Sequence, residues 1–194
     1  GYRSDLVRQA LREHTDVEFV EQTEQLGTGH AVQMCRAQLA RHAGPVLIVT
    51  GDSPLTQRES VAALFREFET NRPACVLGTL HKENPAGLGR IVRDAAGAFA
   101  AIVEEKDATA AQHAITEVNM STYVFDAAQL VRALDALQNT NRQREYYLTD
   151  CPGILKSWDE TVRALPVLQP CEALSINTFN DLAVVEAAME RMGL

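Results

Sequence analysis

PVLIVTGDS, residues 45–53, decides how this chain is read. Residues 45–50 run without a charge, are rich in β-branched side chains, and stop at Gly51-Asp52-Ser53-Pro54, which is turn chemistry. An uninterrupted apolar run of this length predicts a strand buried on both faces, as in a parallel sheet covered by helices. Downstream, Val61, Leu64, Phe65 and Phe68 recur at helical spacing within 57–70, and ACVLGTL (74–80) reads as the next strand. Upstream, Ser4 is placed to cap a helix whose stripe is Leu6, Val7, Ala10 and Leu11, and VEFVE (17–21) reads as a short strand. The loop EQLGTGHAV (24–32) then leads into an amphipathic helix over 30–42.

Beyond residue 90 the rhythm changes. RIVRD (90–94) and AFAAIVEE (98–105) read as a hairpin around Ala95-Ala96-Gly97. A short helix over 108–113, a strand over 115–125, a helix over 127–138 and a polar loop over 139–145 follow. Helices near 149–158 and 179–192 bracket a last strand over 162–168. The expected fold is α/β: one domain over 1–194, with a mixed, mainly parallel sheet flanked by helices. Ligands in such sheets sit beyond the carboxyl ends of the strands.

A chain of 194 residues with 46% apolar and 23% charged content suits a single globular domain. Its formal charge of −8 argues against a nucleic-acid surface. An acidic chain that handles anionic ligands needs a divalent metal or locally clustered basic residues. Cys35, Cys75, Cys151 and Cys171 form no CxxC pair and have no zinc-spaced histidine, so four reduced thiols are expected. No apolar run approaches the ~18 residues of a membrane span, and a cytoplasmic protein without membrane partners is expected. Oligomeric state leaves no mark in the sequence.

Several residues carry candidate chemistry. Gly27 and Gly29 flank Thr28, yet the spacing fits neither a P-loop nor a dinucleotide fingerprint, since position 32 is Val32 and no lysine follows. The glycines either admit a ligand to the backbone or permit a tight turn, and Thr28 is a possible N-cap. Asp52, at a strand end, suits Mg²⁺ on substrate phosphates and equally suits capping the next turn. Glu104, Glu105, Lys106 and Asp107 are either a solvated edge or acceptors for sugar hydroxyls. Asn119 interrupts an apolar strand and must find partners, in the core or on a ligand. His30 and His81 have no partner visible in sequence, and Trp158 and Met189 are expected to pack.

Six stretches, EQLGTGHAV, TGDSPL, NPAGLGRIVRD, IVEEKDA, EVNMSTYVFD and NRQREYYLTD, resemble the sugar-1-phosphate nucleotidyltransferases in order and spacing. Within that family they are similar to the uridyltransferase (pyrophosphorylase) domain of bacterial N-acetylglucosamine-1-phosphate uridyltransferases. The resemblance implies a Rossmann-like nucleotidyltransferase fold that joins UTP to N-acetylglucosamine 1-phosphate with Mg²⁺. It implies that Gln22, Gly27 and Thr28 hold the uracil, and that Gly89, Glu104 and Asn119 grip the sugar. Asp52 and Asn177, in LSINTFND, would be the metal ligands, and no protein nucleophile is required. Thr50, Leu88 and Met120-Ser121 depart from the family pattern around the sugar pocket. The family's N-terminal strand and Gly-rich loop, with its Arg and Lys, have no counterpart here, so a domain incomplete at its N-terminus is expected.

Overall fold

A computed structural model describes residues 3–194; Gly1 and Tyr2 lie outside the described residues. Its centre is β5 (Glu117–Asp126), the longest strand, buried over most of its length. One edge of β5 pairs antiparallel with β2 (Cys75–His81), and β2 pairs in parallel with β6 (Val162–Leu165). The other edge is shared. β1 (Pro45–Ile48) pairs with residues 123–126 of β5, and β3 (Arg90–Arg93) meets it at Val118. β3 continues into the hairpin partner β4 (Phe99–Val103), around a turn in which Asp94 Oδ1 accepts the amides of Ala96 and Ala98.

The mixed α/β sheet is as expected, but "mainly parallel" holds only for strand direction. β1, β2, β3 and β6 run one way, yet only the β2–β6 ladder is parallel. The cause is β5, which runs opposite to β1, β2 and β3 and lies between them. Its register against β2 jumps so that Gly78 faces Thr122 while Thr79 faces Asn119. Met120 and Ser121 are therefore bulged, and Ser121 takes φ 54°, the left-handed region. The bulge falls beside Asn119.

Period-two alternation sends neighbouring residues to opposite faces. Tyr123 and Phe125 of β5, with Cys75 and Leu77 of β2, face α6 (Ala127–Ala136) and α7 (Asp150–Ser157). Val76 and Val124 face Leu64 and Phe68 of α4 (Arg58–Asn71). The strongly apolar residues of α4 recur at the expected spacing, and Leu64 and Phe68 are fully covered. α8 (Phe179–Met192) closes the chain, starting at a capping box in which the Thr178 side chain accepts from the Asp181 amide.

Four expectations fail at the N-terminal side. VEFVE (17–21) forms no strand, because no described strand runs beside it to complete a ladder, and Val17 and Val20 stay exposed. β1 is an edge strand among the described residues, and Leu47 and Val49 are partly open to solvent where burial on both faces was expected. α1 (Ser4–Ala10) is capped by Arg3, in place of Ser4, and buries none of its residues. The helix expected over 30–42 is split at Cys35 into α2 (Thr28–Met34) and α3 (Arg36–Leu39).

Candidate nucleotide and sugar site

The glycine loop is fastened to the segment that precedes α7. The Gly29 amide donates to the Tyr146 carbonyl at 2.8 Å, and the Tyr146 amide donates to the Leu26 carbonyl at 2.8 Å. Thr28 is the first residue of α2, and the cap position belongs to Gly27. The Thr28 hydroxyl oxygen instead accepts the Leu148 amide at 3.1 Å. A Cβ on Gly27 would lie 2.6 Å from the Tyr146 carbonyl oxygen, and Gly27 has φ 108°. A Cβ on Gly29 would lie 2.9 Å from the same oxygen. The two glycines thus admit a close approach of the chain's own backbone. Gln22 reaches the same loop: its amide donates to the Gly27 carbonyl at 3.1 Å and lies 3.1 Å from His30 Nδ1. His30, for which sequence offered no partner, orients Gln22.

The same segment runs on to the second group. Thr149 is buried, and its hydroxyl donates to Glu104 Oε1 at 2.8 Å. Glu104 ends β4, one strand from Gly89, and a Cβ on Gly89 would sit 3.6 Å from either Glu104 oxygen. The Gly89 carbonyl in turn accepts the Asn119 amide at 2.8 Å. Gly89, Glu104 and Asn119, far apart in sequence, therefore meet at the β5 bulge. The Asn119 side chain is consumed locally: it donates to the Tyr123 hydroxyl at 2.7 Å and accepts from the Ser121 amide at 3.3 Å. Burial pushes the Tyr123 phenol upward, so it stays protonated and can also donate. The core half of the Asn119 expectation is thereby met, and its backbone is left beside Gly89.

Beside Glu104 lies a cavity of about 290 Å³ lined by Glu104, Asp107, Asn141, Tyr147 and Asp150. Burial, with the nearby charges of Glu104 and Asp107, pushes the Asp150 carboxyl up to about 6. Asp150 and Thr149 end the stretch NRQREYYLTD, which carried the resemblance, but neither was singled out for a role. A larger cavity of about 380 Å³ lies between the hairpin turn and β6, away from every candidate residue. It is walled by Arg93 and Arg163, which are already paired with Glu117 and Glu67.

Asp52 and Asn177 form the third group. The Ile176 amide donates to the Asp52 carbonyl at 2.9 Å, which sets the turn after β1 beside the approach to α8. Both residues are exposed, and among the described residues the Asp52 carboxylate has no hydrogen-bond or ion-pair partner. Asn177 donates through Nδ2 to Ser175 Oγ at 3.0 Å, which leaves its carbonyl oxygen free as an acceptor. No three His, Cys, Asp or Glu side chains converge among the described residues. Two hard oxygens with room for waters and phosphate oxygens fit Mg²⁺, which is seldom caged by protein alone. No hydrogen bond joins this group directly to the other two among the described residues.

The four cysteines are unbridged. Burial raises the Cys75 thiol and pushes Cys151 up to about 12, so both are inert core groups. Among the described residues no helix is long and apolar enough to cross a membrane.

Comparisons with known proteins give the family and the fold. The nucleotidyl transferase family profile matches residues 2–166, and the chain belongs to that family. It is 41% identical over 191 residues to the "Bifunctional protein GlmU" of Streptococcus gordonii, covering 98% of this chain and 41% of that protein. A protein of the same name from Geotalea daltonii is 39% identical over 183 residues, covering 94% of this chain and 40% of that one. The chain thus spans about two-fifths of the length of these curated relatives. The crystal structure of HddC from Yersinia pseudotuberculosis shares the fold, with a TM-score of 0.63 at 15% identity. That match covers 97% of this chain and 75% of the other.

Proposed function

We propose that this chain is the uridyltransferase part of an enzyme that makes UDP-N-acetylglucosamine and pyrophosphate from UTP and N-acetylglucosamine 1-phosphate. The observation that carries it is the tying of two groups from separate elements by one segment, with a third group at the turn after β1. A base-sized loop at Gln22–Thr28 and a sugar-sized cluster at Gly89, Glu104 and Asn119 are strapped together by residues 146–149. An oxygen pair, Asp52 with Asn177, stands at the strand end. The identity to proteins named GlmU over almost the whole chain supports the same reading.

In this reading Gln22 and the Gly27 backbone meet the base edge, while Glu104 accepts hydrogen bonds from sugar hydroxyls. Asp52 and Asn177 would hold Mg²⁺, which when bound neutralises phosphate charge. The sugar phosphate oxygen attacks the α-phosphorus of UTP, and the bond to the β-phosphate breaks to release pyrophosphate. The protein's part is alignment, worth much of the barrier where reactants are held in line. A cytoplasmic setting is in keeping with the four unbridged thiols. The test is pyrophosphate release with Mg²⁺ by the enzyme carrying this domain. Asp52→Asn should lower turnover by orders of magnitude while the circular dichroism spectrum stays native, and a kcat within a few-fold of wild type would remove Asp52 from the chemistry.

A second reading, another sugar 1-phosphate, is favoured by one local feature. Leu88 and Met120 pack together in a cluster with Leu80, Val118 and Leu168 next to the sugar group. Comparing turnover across sugar phosphates in the same assay separates the two.

A further inference from the structure

Glu172 is a carboxylate with only 4% of its surface exposed, and among the described residues no cation lies against it. Burying an ionised carboxylate is costly unless hydrogen bonds replace its water. Here three donors do so. The Gln57 amide donates to Oε1 at 3.0 Å, while the Ser60 hydroxyl and the Gln169 amide each donate to Oε2 at 2.6 Å. Gln57 is the N-cap of α4 and Ser60 lies in its first turn, so the carboxylate also meets the positive end of a 14-residue helix. Glu172 is thus a plug that seats the short 3-10 helix Pro170–Ala173 in the N-terminus of α4.

That plug borders the Asp52–Asn177 pair on both sides in sequence. Five residues before Gln57 stands Asp52, and five after Glu172 stands Asn177. Between them, Leu55 is buried against Val185 and Ala188 of α8, with Leu174 and Ile176 packed on the same cluster. The Ile176 to Asp52 backbone bond then closes the frame. The two candidate ligands are exposed, and Asn177 is held locally by its backbone amide on Asp181 Oδ2 at 3.1 Å and by Nδ2 on Ser175 Oγ at 3.0 Å. A closed circuit of these contacts, with Glu172 as its buried carboxylate joint, connects the two segments that carry them.

We propose that Glu172 is the positioning residue of the Asp52–Asn177 pair, fixing the separation at which the two oxygens take a divalent cation on nucleotide phosphates. The inference rests on the metal role assigned to that pair above. Outer groups that orient metal ligands typically change metal affinity by ~10–100-fold when removed. Glu172→Gln keeps the shape but turns an NH₂ group toward donors at one of the two oxygen positions, so at least one joint must open.

The probe is Mn²⁺ in place of Mg²⁺, followed by electron paramagnetic resonance as it is titrated, with UTP, into the enzyme carrying this domain. UTP affinity in EDTA is measured alongside. Glu172→Gln is expected to weaken Mn²⁺ binding about tenfold with metal-free UTP affinity unchanged. Ser60→Ala, which keeps the carboxylate and two of its donors, should shift Mn²⁺ in the same direction by less, and it carries the test if Glu172→Gln fails to fold. Asp52→Asn is the reference. If it binds Mn²⁺ as wild type does, or if wild type binds none with UTP, the metal reading falls and this inference with it. If Asp52→Asn loses Mn²⁺ while the folded Glu172 and Ser60 variants do not, the inference alone is overturned. Equal losses of Mn²⁺ and of metal-free UTP in those variants would make Glu172 a purely structural group and would overturn it too.

Discussion

Glu104 and Asn119 sit in one cluster but face different loads. The Glu104 carboxylate is half-buried, and among the described residues it accepts a single side-chain hydrogen bond, from Thr149. Its remaining lone pairs are open toward the cavity beside Asp150. Asn119 is buried and has spent its side chain on Tyr123 and Ser121. The two truncations should therefore separate. Glu104→Ala is expected to raise the KM for the sugar phosphate far more than that for UTP, with little change in stability. Asn119→Ala should do the same and also lower stability by ~1–3 kcal/mol, because the Tyr123 hydroxyl and the Ser121 amide lose a partner. Steady-state kinetics with both substrates and urea unfolding of each variant check this. An equal rise in both KM values would make the residues structural.

The element that joins the half-sites is the strap of residues 145–149, and its fit depends on the glycines. Gly27→Ala and Gly29→Ala each drive a methyl group into the Tyr146 carbonyl, at 2.6 and 2.9 Å, and Gly27 adds the strain of φ 108°. Backbone cannot yield as a side-chain tip can, so each is expected to destabilise by about 2 kcal/mol or more and to speed exchange of the Tyr146 amide hydrogen. Gly153→Ala in α7 meets nothing within 4 Å and should stabilise by about 0.5–1 kcal/mol. Urea unfolding and hydrogen exchange report both, and a neutral Gly29→Ala would show that the strap is not held by close packing. The same element shows what sequence could tell. α8, α4 and the β3–β4 hairpin were legible because caps, periodicity and turn residues are local signals. The strap was not, since Tyr146, Leu148 and Thr149 take their meaning from partners more than 40 residues away. For the same reason the apolar run 45–50 suggested an interior strand; which neighbours a strand has is decided by topology, and among the described residues only β5 pairs with it. The candidate site residues were named through resemblance, while Glu172, with no such motif, needed the fold to show its donors.

At the scale of the whole molecule, pH tests how the ionisable groups are shared between the folded and unfolded chain. Glu117 is buried and accepts from Arg93 Nε and Nη2 and the Thr79 hydroxyl, each at 2.6–2.7 Å. Burial alone would raise its carboxyl, but Arg93 and Thr79 outweigh burial and hold it below its usual value. Its contribution is present above the unfolded pKa and is lost as pH falls through the folded one. Asp150 does the opposite. As the first residue of α7 it should be favoured as an anion by the helix end, by roughly 0.3–1 kcal/mol. Burial, then Glu104 and Asp107, override this and carry it from 3.8 to about 6. Between those values the folded chain keeps a proton that the unfolded chain has released. Stability from Asp150 is therefore complete below about 4 and declines as pH rises through about 6. Because Asp150 is only partly covered, solvent screening cuts the loss to about 1–2 kcal/mol. Asp150→Asn carries no titrating proton there, so its stability relative to wild type should rise by about two-thirds of that amount between pH 4.5 and 7.5. Urea unfolding of both proteins across that range isolates the group, since all shared titrations cancel in the difference. A difference constant with pH would show that Asp150 is ionised as freely in the folded chain as in the unfolded one, and that the acidic wall beside Glu104 is solvated.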